Sequence, residues 1–139
     1  MFLLNHEKII ILLDTNILLL SIDRPIDLFG ELNRLISRSY KCVVLSNVLN
    51  ELKSLITLGS NKEKLLAKAA LKMASMCETV ESSDASDVDT AILNFAKTGN
   101  VVVATNDSDL KRKLRSYGIP VIYIKGFDHL DIEGEIIEE

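Results

Sequence analysis

The chain contains no tryptophan, two prolines, two cysteines and two histidines, and only 5% of its 139 residues are aromatic. Each scarcity removes an explanation. Cys42 and Cys77 stand apart with no CxxC partner, so neither a disulfide framework nor a zinc site is expected of them. His6 and His129 lie near the two ends, away from the acidic segments, and are expected at the surface. So few aromatics offer no visible platform for stacking bases. No charge-free run is long enough to cross a bilayer, so no membrane association is expected. The first apolar stretch lacks a basic leader and carries Asp14 inside it, unlike a signal peptide, and the expected location is the cytoplasm. The formal net charge of −4 speaks against a uniformly basic nucleic-acid binder and leaves local patches to decide.

What is present is apolar and regularly spaced. Hydrophobic residues make up 47% of the chain and charged ones 26%, enough for one domain with its own core. Residues 1–139 read as that single domain, with a core over about 9–124 and an acidic tail over 125–139. Short apolar runs at 9–13, 41–45, 101–104 and 121–124 read as buried strands, with a short further strand near 78–81. Helical segments separate them: 15–22, stopped by Pro25; 27–38, with Leu28, Leu32, Leu35 and Ile36 on one face; and a helix capped at Ser46 or Asn47 and ended by Gly59. Asn61 caps a helix over 62–76, Ser86 and Asp89 have capping-box spacing for one reaching Thr98, and Asn106 caps one over 107–116. Residues 82–86 read as a loop. The alternation predicts an α/β fold: a three-layer α/β/α sandwich around a central, mostly parallel sheet.

Two of the apolar runs end in acids. Ile9 to Leu13 lead into Asp14-Thr15-Asn16, and Val101 to Ala104 lead into Thr105-Asn106-Asp107-Ser108-Asp109. Ligands of open α/β sheets bind outside the carboxyl ends of the strands, so these acids are expected on one edge. Glu51, inside the helix after strand two, and Asp89, in a first helical turn, occupy comparable places. Two charges ~4 Å apart repel by roughly 4 kcal/mol at an effective dielectric of ~20. Such a cluster therefore calls for separation, protonation or a cation. Oxygen-only ligands favour Mg²⁺ or Mn²⁺ over zinc, and phosphodiester hydrolysis is the natural chemistry. Helix capping and the helix dipole account equally for Asp87, Asp89, Asp107 and Asp109 taken singly. Asp14 is harder to dismiss, because an acid directly after an apolar strand gains little locally.

At this point the residues resemble a family. Asp14-Thr15-Asn16, Glu51, Asp89-Thr90-Ala91-Ile92 and Thr105 to Leu110 are similar in order and spacing to the PIN-domain nucleases, from about residue 9 to 124. Residues 103–115 and 119–124 most resemble the branch of small-subunit-processome endonucleases and their archaeal relatives, with VapC-type toxins a neighbouring branch. The resemblance implies Mg²⁺- or Mn²⁺-dependent cleavage of single-stranded RNA. It implies Asp14, Glu51, Asp89 and Asp107 as the acidic quartet and Asp109 as an additional acid, with metal held among Asp14, Asp89, Asp107 and Asp109. Asn16 and Thr105 match the polar positions that support the acids, whereas Asp87 lies outside the matched positions as a secondary acid or a cap.

Lys111, Arg112, Lys113 and Arg115 follow at once and are candidates for RNA phosphates, against the alternative of a solvated helix face. Expected partners are single-stranded RNA, a second copy of the chain, and an antitoxin or pre-ribosomal protein meeting apolar helix surface over 27–38 and 46–76. Two other readings compete. A degenerate domain would bind RNA or a protein without cutting. A response-regulator receiver would use Thr105 and Lys125, but its phospho-accepting position offers only a poorly placed Asp84. An aspartate-nucleophile phosphatase would need an acid where Asn16 stands.

Overall fold

The computed structural model describes residues 8–82 and 87–136. In chain order the elements are β1 (Ile9–Leu13), α1 (Thr15–Asp23), α2 (Leu28–Leu35), β2 (Tyr40–Leu45), α3 (Ser46–Leu58) and α4 (Asn61–Ala74). Then follow β3 (Glu78–Val80), α5 (Val88–Ala96), β4 (Val101–Ala104), α6 (Ser108–Ser116), β5 (Val121–Lys125) and β6 (His129–Glu133). The strands form one sheet in the order β3-β2-β1-β4-β5-β6. All pairs are parallel except the last, where β6 runs antiparallel to β5.

The sheet is covered on both faces, and the period-two pleat shows how. Ile9, Ile11 and Leu13 of β1 join one apolar cluster, while Leu12 joins the other. The first cluster takes Ile17 and Leu18 of α1, Leu28 and Leu32 of α2, Val48 and Leu52 of α3, and Ala67, Ala70 and Ala74 of α4. The second takes Ala91, Ile92 and Ala96 of α5 and Leu110 and Leu114 of α6. The α/β/α sandwich is therefore present, with β1 near its centre. From β1 the chain winds outward to β2 and β3, then returns to the other side for β4 and β5. The β1–β4 junction is the point at which strand order reverses, where such sheets bind ligands.

Several local expectations shift by a residue because the side chain that meets the free N–H groups sets the helix start. Ser60, not Asn61, caps α4, in a reciprocal capping box with Glu63. Asp107, not Asn106, caps α6. Asp87 caps α5 by accepting from the Thr90 N–H, while Ser86 and most of the 82–86 loop lie outside the described residues, as does His6. Helix α1 ends just before Pro25, whose ring cannot continue it.

Two differences are larger. Residues 125–139, expected as an acidic tail, carry β6, joined to β5 by a tight turn with Gly126 at φ 66°. Cys42 and Cys77, expected as separate thiols, are joined as a disulfide. The β2–β3 register sets Val43 opposite Glu78, which brings the residues preceding them together with Cα atoms 5.0 Å apart. The bridge ties the short edge strand to its neighbour.

Candidate active site

The parallel strands β1 and β4 end together at the switch point, and the next residue of each is polar and buried. Asp14 follows β1 and is 4% exposed; Thr105 follows β4 and is fully buried. The Asp14 N–H donates to the Ala104 carbonyl at 3.0 Å, which fixes its backbone against β4. Three donors converge on its carboxylate. The Thr15 N–H reaches Oδ1 at 2.7 Å; the Thr105 hydroxyl and the Asn16 amide reach Oδ2 at 2.7 and 3.2 Å. Burial pushes the Asp14 pKa up to about 6 even against the hydrogen bonds from Thr105 and Thr15, with the neighbouring charges of Asp89 and Glu51 adding to the rise.

Asp14 also caps α1, a local benefit the sequence pattern did not suggest. Its bond goes to the first helical N–H, however, rather than to the second or third that a capping side chain usually meets. An exposed Ser would cap α1 as well. Capping alone does not call for a carboxylate removed from water and set among other acids.

The remaining quartet members come from three helices. Glu51 on α3 accepts a hydrogen bond from the Thr15 hydroxyl, which ties α3 to the residue after Asp14. Asp89, in the first turn of α5, has its pKa raised by burial first and then by the charges of Asp107 and Asp87. Lys113 opposes that rise and Glu51 adds to it. Asp107 caps α6 through Oδ1, accepting from the Asp109 and Leu110 N–H groups, while its own N–H donates to the Thr105 hydroxyl. Asp14, Glu51, Asp89 and Asp107 are thus linked through their mutual charges. Asp109 is placed differently: it is exposed and its carboxylate pairs with Arg112 at 2.8 Å. Asp87 is exposed, and its pKa is lowered by hydrogen bonds from Thr90, as suits a cap.

Behind the acids lies a polar bridge. Asn16 donates to Asp14 and accepts from the Asn106 N–H at 2.9 Å; Asn106 in turn accepts from the Ile124 N–H at 3.0 Å. Asn16 and Thr105 both donate to Asp14 Oδ2. The sequence marks Asn106 only as a helix cap and gives Thr15 no role of its own. The only further signal for either was its place beside an acid, because the partners lie on distant strands and helices.

The four basic residues of α6 part company. Lys111 and Arg115, one turn apart, both reach Glu133 of β6, at 3.0 and 3.5 Å. Lys111 also lies over the Tyr123 ring, and Arg115 donates to the Ile119 carbonyl. Arg112 is engaged with Asp109. Lys113 instead lines a cleft of about 360 Å³ together with Glu51, Asp87 and Asp89. A second cleft of about 720 Å³ shares Glu51, Asp87 and Val88 and extends along α3 to Leu58 and Glu63.

The donor chemistry suits a hard divalent cation: oxygen atoms only, several of them anionic, with Asp14 buried, Asp89 and Asp107 partly buried and Glu51 exposed. Among the described residues, no three His, Cys, Asp or Glu side chains form a ready-made metal shell. Of the four acids expected as ligands, Asp89 is linked by charge to Asp14 and to Asp107, while Asp109 stands apart on Arg112, and they are not gathered around a point. No helix among the described residues is long and apolar enough to cross a membrane.

Fold and acidic edge together define an α/β protein with a carboxylate site at its switch point. The sequence profile of the family described as "PIN like domain" matches residues 11–126. The chain belongs to that family. It is 35% identical over 126 residues to ribonuclease VapC4 of Methanocaldococcus jannaschii, covering 88% of this chain and 95% of the relative. It is 31% identical over 121 residues to ribonuclease VapC9 of Archaeoglobus fulgidus, covering 87% of each. Among solved structures, the PIN domain endonuclease Utp24 aligns with a TM-score of 0.75 at 23% identity, covering 91% of this chain and 92% of that one. The VapBC2 complex of Rickettsia felis, bound to a DNA fragment from its promoter, aligns at 0.63 and 18% identity, covering 84% and 99%. The receiver reading is displaced: a receiver's strand order places its third strand centrally, whereas here β3 is the sheet edge.

Proposed function

We propose that this chain is a metal-dependent endoribonuclease that hydrolyses phosphodiester bonds of single-stranded RNA. The observation that carries the reading is Asp14: a carboxylate buried at the switch point, held by three donors, and raised in pKa by burial and by Asp89 and Glu51. Nothing in the packing of the core asks for that charge. The ribonuclease relatives, each matched over nearly its whole length, support the activity.

Asp14, Asp89 and Asp107 would hold Mg²⁺ or Mn²⁺, and Asp109 would join only by leaving Arg112. A cation bound there supplies Lewis acidity toward a phosphate oxygen and lowers the pKa of a bound water. The chain's own residues do the positioning. Thr105, Asn16 and the Thr15 N–H fix the Asp14 carboxylate. The Thr15 hydroxyl holds Oε1 of Glu51, leaving Oε2 to take the proton of the attacking water. Lys113, across the cleft from Glu51 and Asp89, receives a phosphate of the bound strand. Lys111, Arg112 and Arg115 contribute less, since their charges are already answered within the protein.

The setting we assign is the cytoplasm. The partner we assign is an antitoxin-like protein covering the α3–α4 hairpin, where Leu58 and Leu65 are 84% and 70% exposed. The test of the activity is cleavage of single-stranded RNA in Mn²⁺ or Mg²⁺ against EDTA, with Asp14→Asn and Asp107→Asn alongside. Undiminished cleavage by either variant removes the assignment. Tight RNA binding without cleavage by the wild type would favour the degenerate, non-catalytic domain.

A further inference from the structure

The chain has four Phe, three Tyr and no Trp, and its surface aromatics are correspondingly few. Among the described residues, two aromatic side chains are strongly exposed: Tyr117 at 58% and Phe127 at 64%. They sit at opposite ends of the sheet. Tyr117 shares a cleft with Ile9 and Val101, the first residues of β1 and β4, so it belongs to the edge away from the acids. Phe127 lies in the turn after β5, which runs parallel to β4. It therefore shares the acidic edge with Asp14 and Thr105.

Register gives the separation. Leu13 pairs with Ala104 and Ala104 with Ile122, so these three residues are level across β1, β4 and β5. Two strand spacings put β5 ~10 Å to the side of β1, and the three residues from Ile122 to Lys125 carry the hairpin ~10 Å past that level. Phe127 thus stands roughly 15 Å from Asp14, a few nucleotides of extended strand. The route between them is the polar bridge already described, Asp14 to Asn16 to Asn106 to the backbone of Ile124.

The ring is also backed. The guanidinium of Arg24, just past the end of α1, lies 5.7 Å from the Phe127 centroid. A cation on one face orders the ring and leaves the rest of this largely exposed side chain to solvent. Gly126, at φ 66°, permits the tight turn that presents it. A lone exposed apolar residue needs no explanation. An exposed ring with a cationic backing, on the edge that holds the acids, in a chain this poor in aromatics, does.

We propose that Phe127, backed by Arg24 at the tip of the β5–β6 hairpin, stacks on an unpaired base of single-stranded RNA lying across the acidic edge. The proposal rests on the ribonuclease reading and deepens it. The strand would be held at two points: a phosphate at Lys113 and a base at Phe127, with the acids between. Stacking is indifferent to base identity, so the contact sets grip and position rather than sequence.

The test is fluorescence anisotropy of labelled single-stranded RNA with the full chain in EDTA, together with kcat and KM in Mn²⁺. Phe127→Ala and Phe127→Leu are expected to weaken binding by about 5- to 100-fold and to raise KM similarly, with kcat nearly unchanged. Phe127→Trp retains the π-face and is expected to bind at least as well as the wild type. One abasic position should weaken wild-type binding and cost the Phe127→Ala variant nothing further. If Ala, Leu and Trp variants bind RNA within twofold of the wild type, the stacking site is overturned. It is equally overturned if Phe127→Ala loses only a protein partner. Wild-type binding without cleavage, with the Ala and Leu losses intact, would remove the ribonuclease reading and keep the stacking site; no wild-type binding would remove both.

Discussion

Replacing Asp14 with Asn should stabilise the metal-free protein at neutral pH, although it should abolish activity. The folded chain holds the Asp14 carboxyl at a pKa of about 6, against 3.8 for an ordinary aspartate. Between those values the folded state binds more protons than the unfolded one, so this group lowers stability as pH rises from about 4 to 6. The loss levels off at about 3 kcal/mol above the folded pKa. The substituted amide is neutral throughout and escapes that penalty. It also loses something. One amide oxygen can still accept from the Thr15 N–H, and the Thr105 hydroxyl can turn to accept from the new NH₂. The Asn16 amide, whose oxygen is committed to the Asn106 N–H, is then left facing a donor. That mismatch costs about 1 kcal/mol. The net expectation is a gain of about 2 kcal/mol at pH 7.5 in EDTA and a slight loss at pH 4. Urea denaturation of both proteins at the two pH values measures it. Saturating Mn²⁺ should reverse the order, because a cation held by Asp14 stabilises only the wild type, by about 2.7 kcal/mol at a hundred times its Kd. A variant less stable than the wild type at both pH values, by the same amount, would refute the view that Asp14 sits there against the interest of the fold.

Thr105→Val removes the hydroxyl that donates to Asp14 and accepts from the Asp107 N–H, and should cost about 1–3 kcal/mol at pH 7.5 by urea denaturation. The cost should shrink at pH 4, where the protonated Asp14 no longer needs that donor; a pH-independent loss would mean the hydroxyl serves Asp107 alone. Lys113→Ala should raise KM for RNA severalfold and reduce the salt dependence of binding, while Arg112→Ala should stay within about twofold. Equal effects would undo the distinction between them. Reducing the Cys42–Cys77 bridge should lower stability by up to about 4 kcal/mol, since it closes a loop of 35 residues. Thiol titration of the unfolded, unreduced protein should find no free thiol, and two would contradict the pairing.

The sheet was legible because four of its five parallel strands are short apolar runs punctuated by helices, and two of those runs end in acids that announced an edge. Strand β6 was not: His129-Leu130-Asp131-Ile132-Glu133 does alternate polar and apolar, but it is only five residues long within an acid-rich segment, and the antiparallel partner that orders it lies outside its own sequence pattern. That omission carried a second one. Without β6, Glu133 had no place, so Lys111 and Arg115 looked as free to meet RNA as Lys113. The acids were findable because they terminate elements, and a terminus shows in a linear pattern. The residues that hold them, Thr15 for Glu51 and Asn106 between Asn16 and β5, act on partners that only the folded chain brings near. The disulfide is of the same kind: a register between two strands, invisible in the spacing of two cysteines.

The bond between Thr105 and Asp14 spans 91 positions, and the bridge beyond it ends on β5. In a growing chain Asp14 and Glu51 are made early, but the groups that orient Asp14 come from residues 105 and 106, and the strand they lean on closes at Lys125. The acidic pocket is therefore assembled only after residue 124 has been made, and a fragment ending before residue 105 lacks the groups that hold Asp14. The proposed ribonuclease activity would arise only once residue 124 is in place.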